Sequence, residues 1–241
     1  MRTYLTLLLT IVTTTAHAQP PSFEVASIKP NQSGSHTTSA GTDPGGKFAA
    51  NNASLQALIA YAYGVQEFNV TRGPGWLDSD RYDIVARANT PKEMSREEVA
   101  PYVQALLADR FQLKLHRDTK EGTVYILGIA KSGPKLKLHP EGTTGPTGIG
   151  SSLGAGKSSI EGSKVTMKML ADHLAGQSGR PVLDRTGLTG EYDLRVEWSK
   201  DQGDGASVFT ALQEQLGLKL ESGKGPIEII VVDSAEKASP N

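Results

Sequence analysis

Apolar positions along this chain alternate between helical and strand spacing, and the same succession of periods occurs twice. Leu55, Leu58, Ile59 and Ala62 recur at helical spacing behind Ser54, a good N-cap, and Gly64 closes the segment. Tyr82 to Ala88 reads as a strand. Ser95-Arg96-Glu97-Glu98 carries the capping-box pattern ahead of Val99, Val103, Leu106 and Leu107, with Pro101 expected to bend or shorten the first turns. Phe111, Leu113 and Leu115 alternate with Gln112, Lys114 and His116 as in a strand with one wet face, and Val124 to Ala130 is apolar on both faces, as in a central strand. The pattern then restarts. Met167, Leu170, Ala171 and Leu174 mark a helix, and Tyr192, Leu194, Val196 and Trp198 alternate with Asp193, Arg195 and Glu197. Ser207 caps a helix that turns Leu212 and Leu216 inward and ends at Gly217. Leu218–Leu220 and Ile227–Val232 read as a closing hairpin.

The two successions share residues as well as order. Ser54–Gly64 is answered by Thr166–Gly176, Tyr82-Asp83-Ile84 by Tyr192-Asp193-Leu194, and Leu113-Lys114-Leu115 by Leu218-Lys219-Leu220. Order and spacing together predict an α+β fold: an internally duplicated helix-strand-helix-strand-strand unit, with mixed and antiparallel sheets covered by helices. Residues 19–138 form the first repeat, 139–158 a Gly/Ser/Thr-rich flexible linker, 159–235 the second repeat, and 236–241 a frayed polar tail. Ahead of the first helix, Phe23–Ile28 and Lys47–Asn51 are short strands and 31–46 a loop. Whether the halves share one sheet stays open.

Residues 1–18 read as a signal peptide. Arg2 supplies a positive start, Leu5 to Thr15 a short apolar stretch, and Ala16-His17-Ala18 a small-x-small cleavage site. The stretch is too short for a comfortable membrane span, so the mature chain is expected to be periplasmic or secreted, with no span after cleavage. The chain has no cysteine, which excludes disulfides, thiol nucleophiles and thiolate metal sites. Charge is balanced, 25 Lys plus Arg against 26 Asp plus Glu, with no basic stripe, so nucleic acid is not an expected partner.

Several segments together resemble a known family. Phe23-Glu24-Val25-Ala26-Ser27-Ile28-Lys29-Pro30-Asn31, Gly73-Pro74-Gly75-Trp76-Leu77, Leu106-Leu107-Ala108-Asp109-Arg110-Phe111 and Gly179-Arg180-Pro181-Val182-Leu183-Asp184-Arg185-Thr186-Gly187 are similar to exported proteins of unknown function abundant in Acidobacteria. Some members carry the module attached to membrane metallopeptidases of the beta-lactam-sensor type. The resemblance implies an extracytoplasmic binding or sensing role and supplies no reaction, cofactor or catalytic residue.

The candidate chemistry is sparse. Gly41-Thr42-Asp43-Pro44-Gly45-Gly46-Lys47 has phosphate-loop spacing, but Phe48 stands where the magnesium-binding hydroxyl belongs. Ser132-Gly133-Pro134-Lys135 has a serine–lysine spacing that Pro134 keeps off a helix. His36, His116, His139 and His173 show no metal-ligand spacing, and His36 and His139 fall in expected loops. Asp78 and Asp80 crowd a loop with Trp76 and Arg81, and Asp184-Arg185 sits in a glycine-flanked turn where a guanidinium could pair with a carboxylate or phosphate. Trp76, Asp80, Arg81, Asp184 and Arg185 are therefore the candidate ligand contacts, in a cleft expected between the halves. No cofactor is expected. The leading expectation is a non-enzymatic envelope module that binds a glycan, small molecule or envelope protein. One alternative is a secreted hydrolase drawing on Asp78, Asp80, Asp184 or His116; another is an assembly module using strand addition.

Overall fold

The computed structural model describes residues 21–35, 37–143, 145–154, 156–199 and 207–238. The expected signal peptide, His36 and the last three residues of the expected tail lie outside them. The first half runs β1 (Val25–Pro30), β2 (Ser39–Asp43), β3 (Lys47–Ser54), α1 (Leu55–Tyr63), β4 (Val70–Arg72), β5 (Arg81–Arg87), α2 (Arg96–Arg110) and β6 (Lys114–Ile129). The second runs β7 (Lys137–Leu138), β8 (Gly148–Gly154), β9 (Lys157–Val165), α3 (Met167–Ser178), β10 (Val182–Asp184), β11 (Tyr192–Ser199), α4 (Val208–Ala211), a π-turn over Leu212–Leu216, and β12 (Leu218–Ser234). The class is α+β with open mixed and antiparallel sheets, as the periodicity predicts.

Ser54 caps α1 and Gly64 closes it in the left-handed region, as expected; Thr166 and Gly179 do the same for α3, which runs past Gly176, the counterpart of Gly64 in the sequence match. Ser95 and Glu98 form the complete capping box, and α2 continues through Pro101 for 15 residues.

Among the described residues the strands form three four-stranded sheets. One outer sheet has the order β1-β5-β3-β2 and the other β7-β11-β9-β8, the same plan in each half. The central sheet, β10-β6-β12-β4, is built by both halves. β6 and β12 pair antiparallel from Val232↔Leu115 to Leu218↔Ile129. Each then accepts the other half's short strand in parallel, β4 beside β12 and β10 beside β6.

Leu218–Leu220 and Ile227–Val232 do not form a hairpin, nor do the two apolar runs after α2; each pair lies on one long strand. The glycines between the runs allow close packing instead of a turn. Gly122 lies opposite Gly225. A Cβ at Gly122 would meet Ile227 Cδ1 at 2.4 Å, and one at Gly225 would meet Leu183 Cδ1 at 2.6 Å. The stretch 139–158, expected as a linker, contains β8, which pairs with β9 from Gly148↔Ser163 to Gly154↔Lys157. The expected loop 31–46 likewise contains β2. Both are outer strands with little buried surface, so neither shows an apolar alternation.

The cores interlock across the halves. Phe48, Leu58, Ile59, Ile84, Val103, Leu107 and Phe111 form the first, and Ile230 and Val232 of β12 belong to it. Ile160, Met167, Leu170, Val196, Leu212 and Leu216 form the second, and Leu127 of β6 belongs to it.

Each half also staples a bulge with the aspartate of its Tyr-Asp pair. The β3–β5 ladder skips between Ala50 and Ala53, and the β9–β11 ladder skips opposite Tyr192/Leu194. Inside the bulges Asn52 and Lys164 have φ of +52° and +54°. The Asp83 carboxylate accepts the Asn52 N–H at 2.9 Å and Asn31 Nδ2 at 2.8 Å. Asp193 accepts the Lys164 N–H, the Ser163 hydroxyl at 2.9 Å and His139 Nδ1 at 2.8 Å.

Replacing Asp83 by Ala leaves the N–H of the buried Asn52 without this acceptor. Denaturant unfolding should show a loss of about 1–3 kcal/mol. Asp78→Ala, on an exposed loop, should stay within about 0.5 kcal/mol of the parent.

Candidate functional site

The loop that carries Trp76 is a tight turn in which Leu77 N–H donates to Pro74 O and Asp80 N–H to Trp76 O. The turn sets Asp80 beside Trp76, and Arg81 lines a depression with Asp80, Tyr82 and Lys237. The surface they form is already engaged by the chain's own C-terminal residues. The Lys237 ammonium lies 5.7 Å from the Trp76 ring centroid and 2.6 Å from the Asp80 carboxylate, and Glu236 N–H donates to Phe111 O. Glu236–Ala238, expected to fray, are thus docked.

Asp184 and Arg185 belong to a different neighbourhood. Asp184 accepts the backbone N–H of Thr186 at 2.8 Å and its hydroxyl at 2.7 Å, while Arg185 N–H donates to Leu127 O. This is a side-chain-stapled turn. Trp76 packs on the first core and Val182 and Leu188, either side of Asp184, on the second. Of the groups named for hydrolysis, Asp80 pairs with Lys237, Asp184 with Thr186 and His116 with Asp233 at 3.0 Å, while Asp78 sits exposed on its loop.

Neither Trp76 nor Arg185 lines the groove that both halves form. It runs from Val182, Leu183, Ile227 and Glu228 past Gly64, Lys168 and Asp172 to Tyr61, Tyr63, Arg96, Gln104 and Arg117. Its shape follows from how α1 ends. The last turn of α1 carries no basic residue of its own, so its terminal carbonyls need donors from elsewhere. Arg96 of α2 donates to Tyr61 O and Ala60 O, Gln104 to Ala62 O at 2.8 Å, and Arg117 of β6 to Tyr63 O at 3.2 Å. The two guanidiniums lie 4.8 and 5.8 Å from the centroids of the Tyr61 and Tyr63 rings. Arg117 is also paired with Glu228. Burial pushes both tyrosine hydroxyls above the usual phenol range, so they remain protonated donors. From the other half, Lys168 pairs with Asp172 at 2.6 Å, and Gln66 crosses to Asp172 O at 2.9 Å. The groove therefore offers neutral hydroxyls and amides beside charges of both signs.

A second depression is lined by His139, Glu141, Thr143, Lys164 and Glu191. His139 is only 13% exposed. Its Nδ1 faces Asp193 and its Nε2 lies 2.5 Å from Thr143 Oγ1. The His139 and Ser163 hydrogen bonds hold the Asp193 carboxyl below the usual carboxylate range. A reading of His139 as a loop residue misses this. The available signal is that Leu136-Lys137-Leu138-His139 ends the first strand of the second half as Ile28-Lys29-Pro30-Asn31 ends that of the first. Among the described residues, no group of three or more His, Asp or Glu is placed to hold a metal ion.

The chain belongs to a family of proteins of unknown function, DUF3738, which matches residues 56–235. No curated protein and no solved structure matches it.

Two measurements check this geometry. In a Trp198→Phe background Trp76 is the sole indole, and Lys237→Ala should shift its emission to the red by uncovering it. His173, which faces the Ser151 hydroxyl at 2.7 Å, is pushed below 6.5 by burial. The unfolded chain therefore binds this proton more readily than the folded one. Stability associated with His173 should be full above pH 6.5 and fall as pH drops through that value. His173→Gln should flatten that part of the stability–pH curve.

Proposed function

We propose that this protein is an exported cell-envelope binding module whose ligand, a glycan fragment, seats in the groove lined by both halves. The observation that carries this reading is the composition of that groove. Tyr61 and Tyr63 supply aromatic surface with protonated hydroxyls, while Gln66, Gln104, Lys168 and Asp172 supply donors and acceptors of either sign. Sugars combine apolar C–H faces with dense neutral hydroxyls, and such a mixed lining matches them. A strongly anionic ligand would need a net positive surface, and here Arg117 is matched by Glu228 and Lys168 by Asp172.

Export is supported by the leader-like pattern of Arg2 through Ala18. The resemblance to exported proteins abundant in Acidobacteria, some joined to membrane metallopeptidases, points the same way by analogy. No described helix is long and apolar enough to cross a membrane. The matched order of strands, bulges and caps in the halves supports a duplicated scaffold, with the groove at the junction of the two copies.

The test is a thermal-shift and calorimetric screen of purified protein against cell-wall glycan fragments. A fragment at 100 times its Kd should raise stability by about 2.7 kcal/mol. Tyr63→Phe and Lys168→Ala should each weaken its binding about tenfold, equivalent to ~1.4 kcal/mol. A bound fragment whose affinity ignores both substitutions, or a complete panel without saturable binding, would refute the reading.

A further inference from the structure

The two halves use their aspartates alike, with one chemical difference. After β1, Asn31 N–H donates to Arg81 O and its side-chain amide reaches Asp83. After β7, His139 N–H donates to Glu191 O and its imidazole reaches Asp193. An amide is sufficient to tie this strand to the aspartate, as the first half shows. The imidazole adds a second ring nitrogen that the tie does not use, and that nitrogen lies 2.5 Å from the Thr143 hydroxyl oxygen.

We propose that Thr143, His139 and Asp193 form a nucleophile, a base and its positioning residue, and that this centre transfers the acyl group of a small ester to water. The centre lies in the second depression and is independent of the glycan groove. Asp193 accepts the Nδ1–H, which leaves the Nε2 lone pair directed at Thr143. Burial of the imidazole and the further donors on Asp193, the Ser163 hydroxyl and the Lys164 N–H, keep the carboxylate ionised and the ring oriented. Lys164 Nζ donates to Thr143 O at 2.9 Å. An ammonium has three hydrogens, so it can also serve an oxyanion formed beside Thr143. The Thr143 hydroxyl also contacts Pro140 O at 2.8 Å, which is its resting alternative to Nε2.

Thr143 Oγ1 bonds to the ester carbonyl carbon while its proton passes to His139 Nε2. The bond from that carbon to the alcohol oxygen breaks, and the same proton goes to the departing alkoxide. Water then attacks the acyl-threonine, giving one proton to Nε2. The carbon–Oγ1 bond breaks, and the proton returns to Thr143. The products are one carboxylic acid and one alcohol. Glu141 and Glu191 line the depression, so it disfavours anionic esters and suits neutral or cationic ones.

The probe is p-nitrophenyl acetate with the full chain. Nitrophenolate release gives the rate, and peptide mapping after acid quench locates the acetyl group. The native chain should turn over and carry acetyl on Thr143, and Thr143→Ser should retain turnover. Thr143→Ala and His139→Asn should each slow it at least ~10²-fold. His139→Asn reproduces the side chain of the first half, so an unchanged melting temperature separates loss of chemistry from loss of fold. The imidazole ¹⁵N shifts of His139 should report Nδ1–H in the native chain and move in Asp193→Asn, which tests the positioning role. Turnover equal in native and His139→Asn chains, or acetyl found on a lysine or another histidine instead of Thr143, would overturn the proposal.

Discussion

The antiparallel pairing of β6 with β12 is the constraint on which the molecule depends. These are the two longest strands, they come from different halves, and they pair along nearly their whole length. β4 and β10 complete the central sheet only by crossing to the other half's long strand. The cores follow the same exchange, with Ile230 and Val232 buried in the first and Leu127 in the second. Each core is completed by residues of the other half, so folding must bring together residues far apart in sequence. Such non-local pairing costs loop-closure entropy before any contact repays it. The long ladder and shared cores are what offset that cost.

Within this frame, each outer sheet solves a local problem in the same way. A left-handed residue in a bulge turns its N–H inward, and a buried N–H needs an acceptor. Asp83 and Asp193 supply it, which is why Tyr-Asp recurs: the tyrosine fills the core and the aspartate ties the bulge to the strand before it. Because that tie tolerates either an amide or an imidazole, the position after the first strand is open to change without loss of the scaffold. His139 occupies that open position.

The groove between the halves has a comparable origin. α1 ends without a cation of its own, and its carbonyls draw Arg96, Gln104 and Arg117 toward it from α2 and β6. Those side chains, with Tyr61 and Tyr63, then form one wall, and α3 brings Lys168 and Asp172 to the other. A structural need at a helix end thus assembles a polar, aromatic surface at the junction.

What the sequence determined by itself was local. Ser54, Ser95 and Thr166 mark the helix starts because a cap acts over three residues, and the alternation in Tyr192–Trp198 marks a strand because one face is buried. The strands β2 and β8 escaped notice because outer strands need no apolar alternation, and β12 was divided into a hairpin because a break in the apolar run after Leu220 looks like a chain reversal. Trp76 and Asp80 meet within one local turn, whereas the Lys237 that contacts both lies far along the chain. Likewise His139, with its near neighbour Thr143, meets Asp193 only through strand register, and Tyr61 and Arg117 meet Lys168 only through the crossing of the halves. Tertiary structure decided those groupings because backbone pairing and core burial set them over long separations, beyond the few residues across which caps and periods carry information.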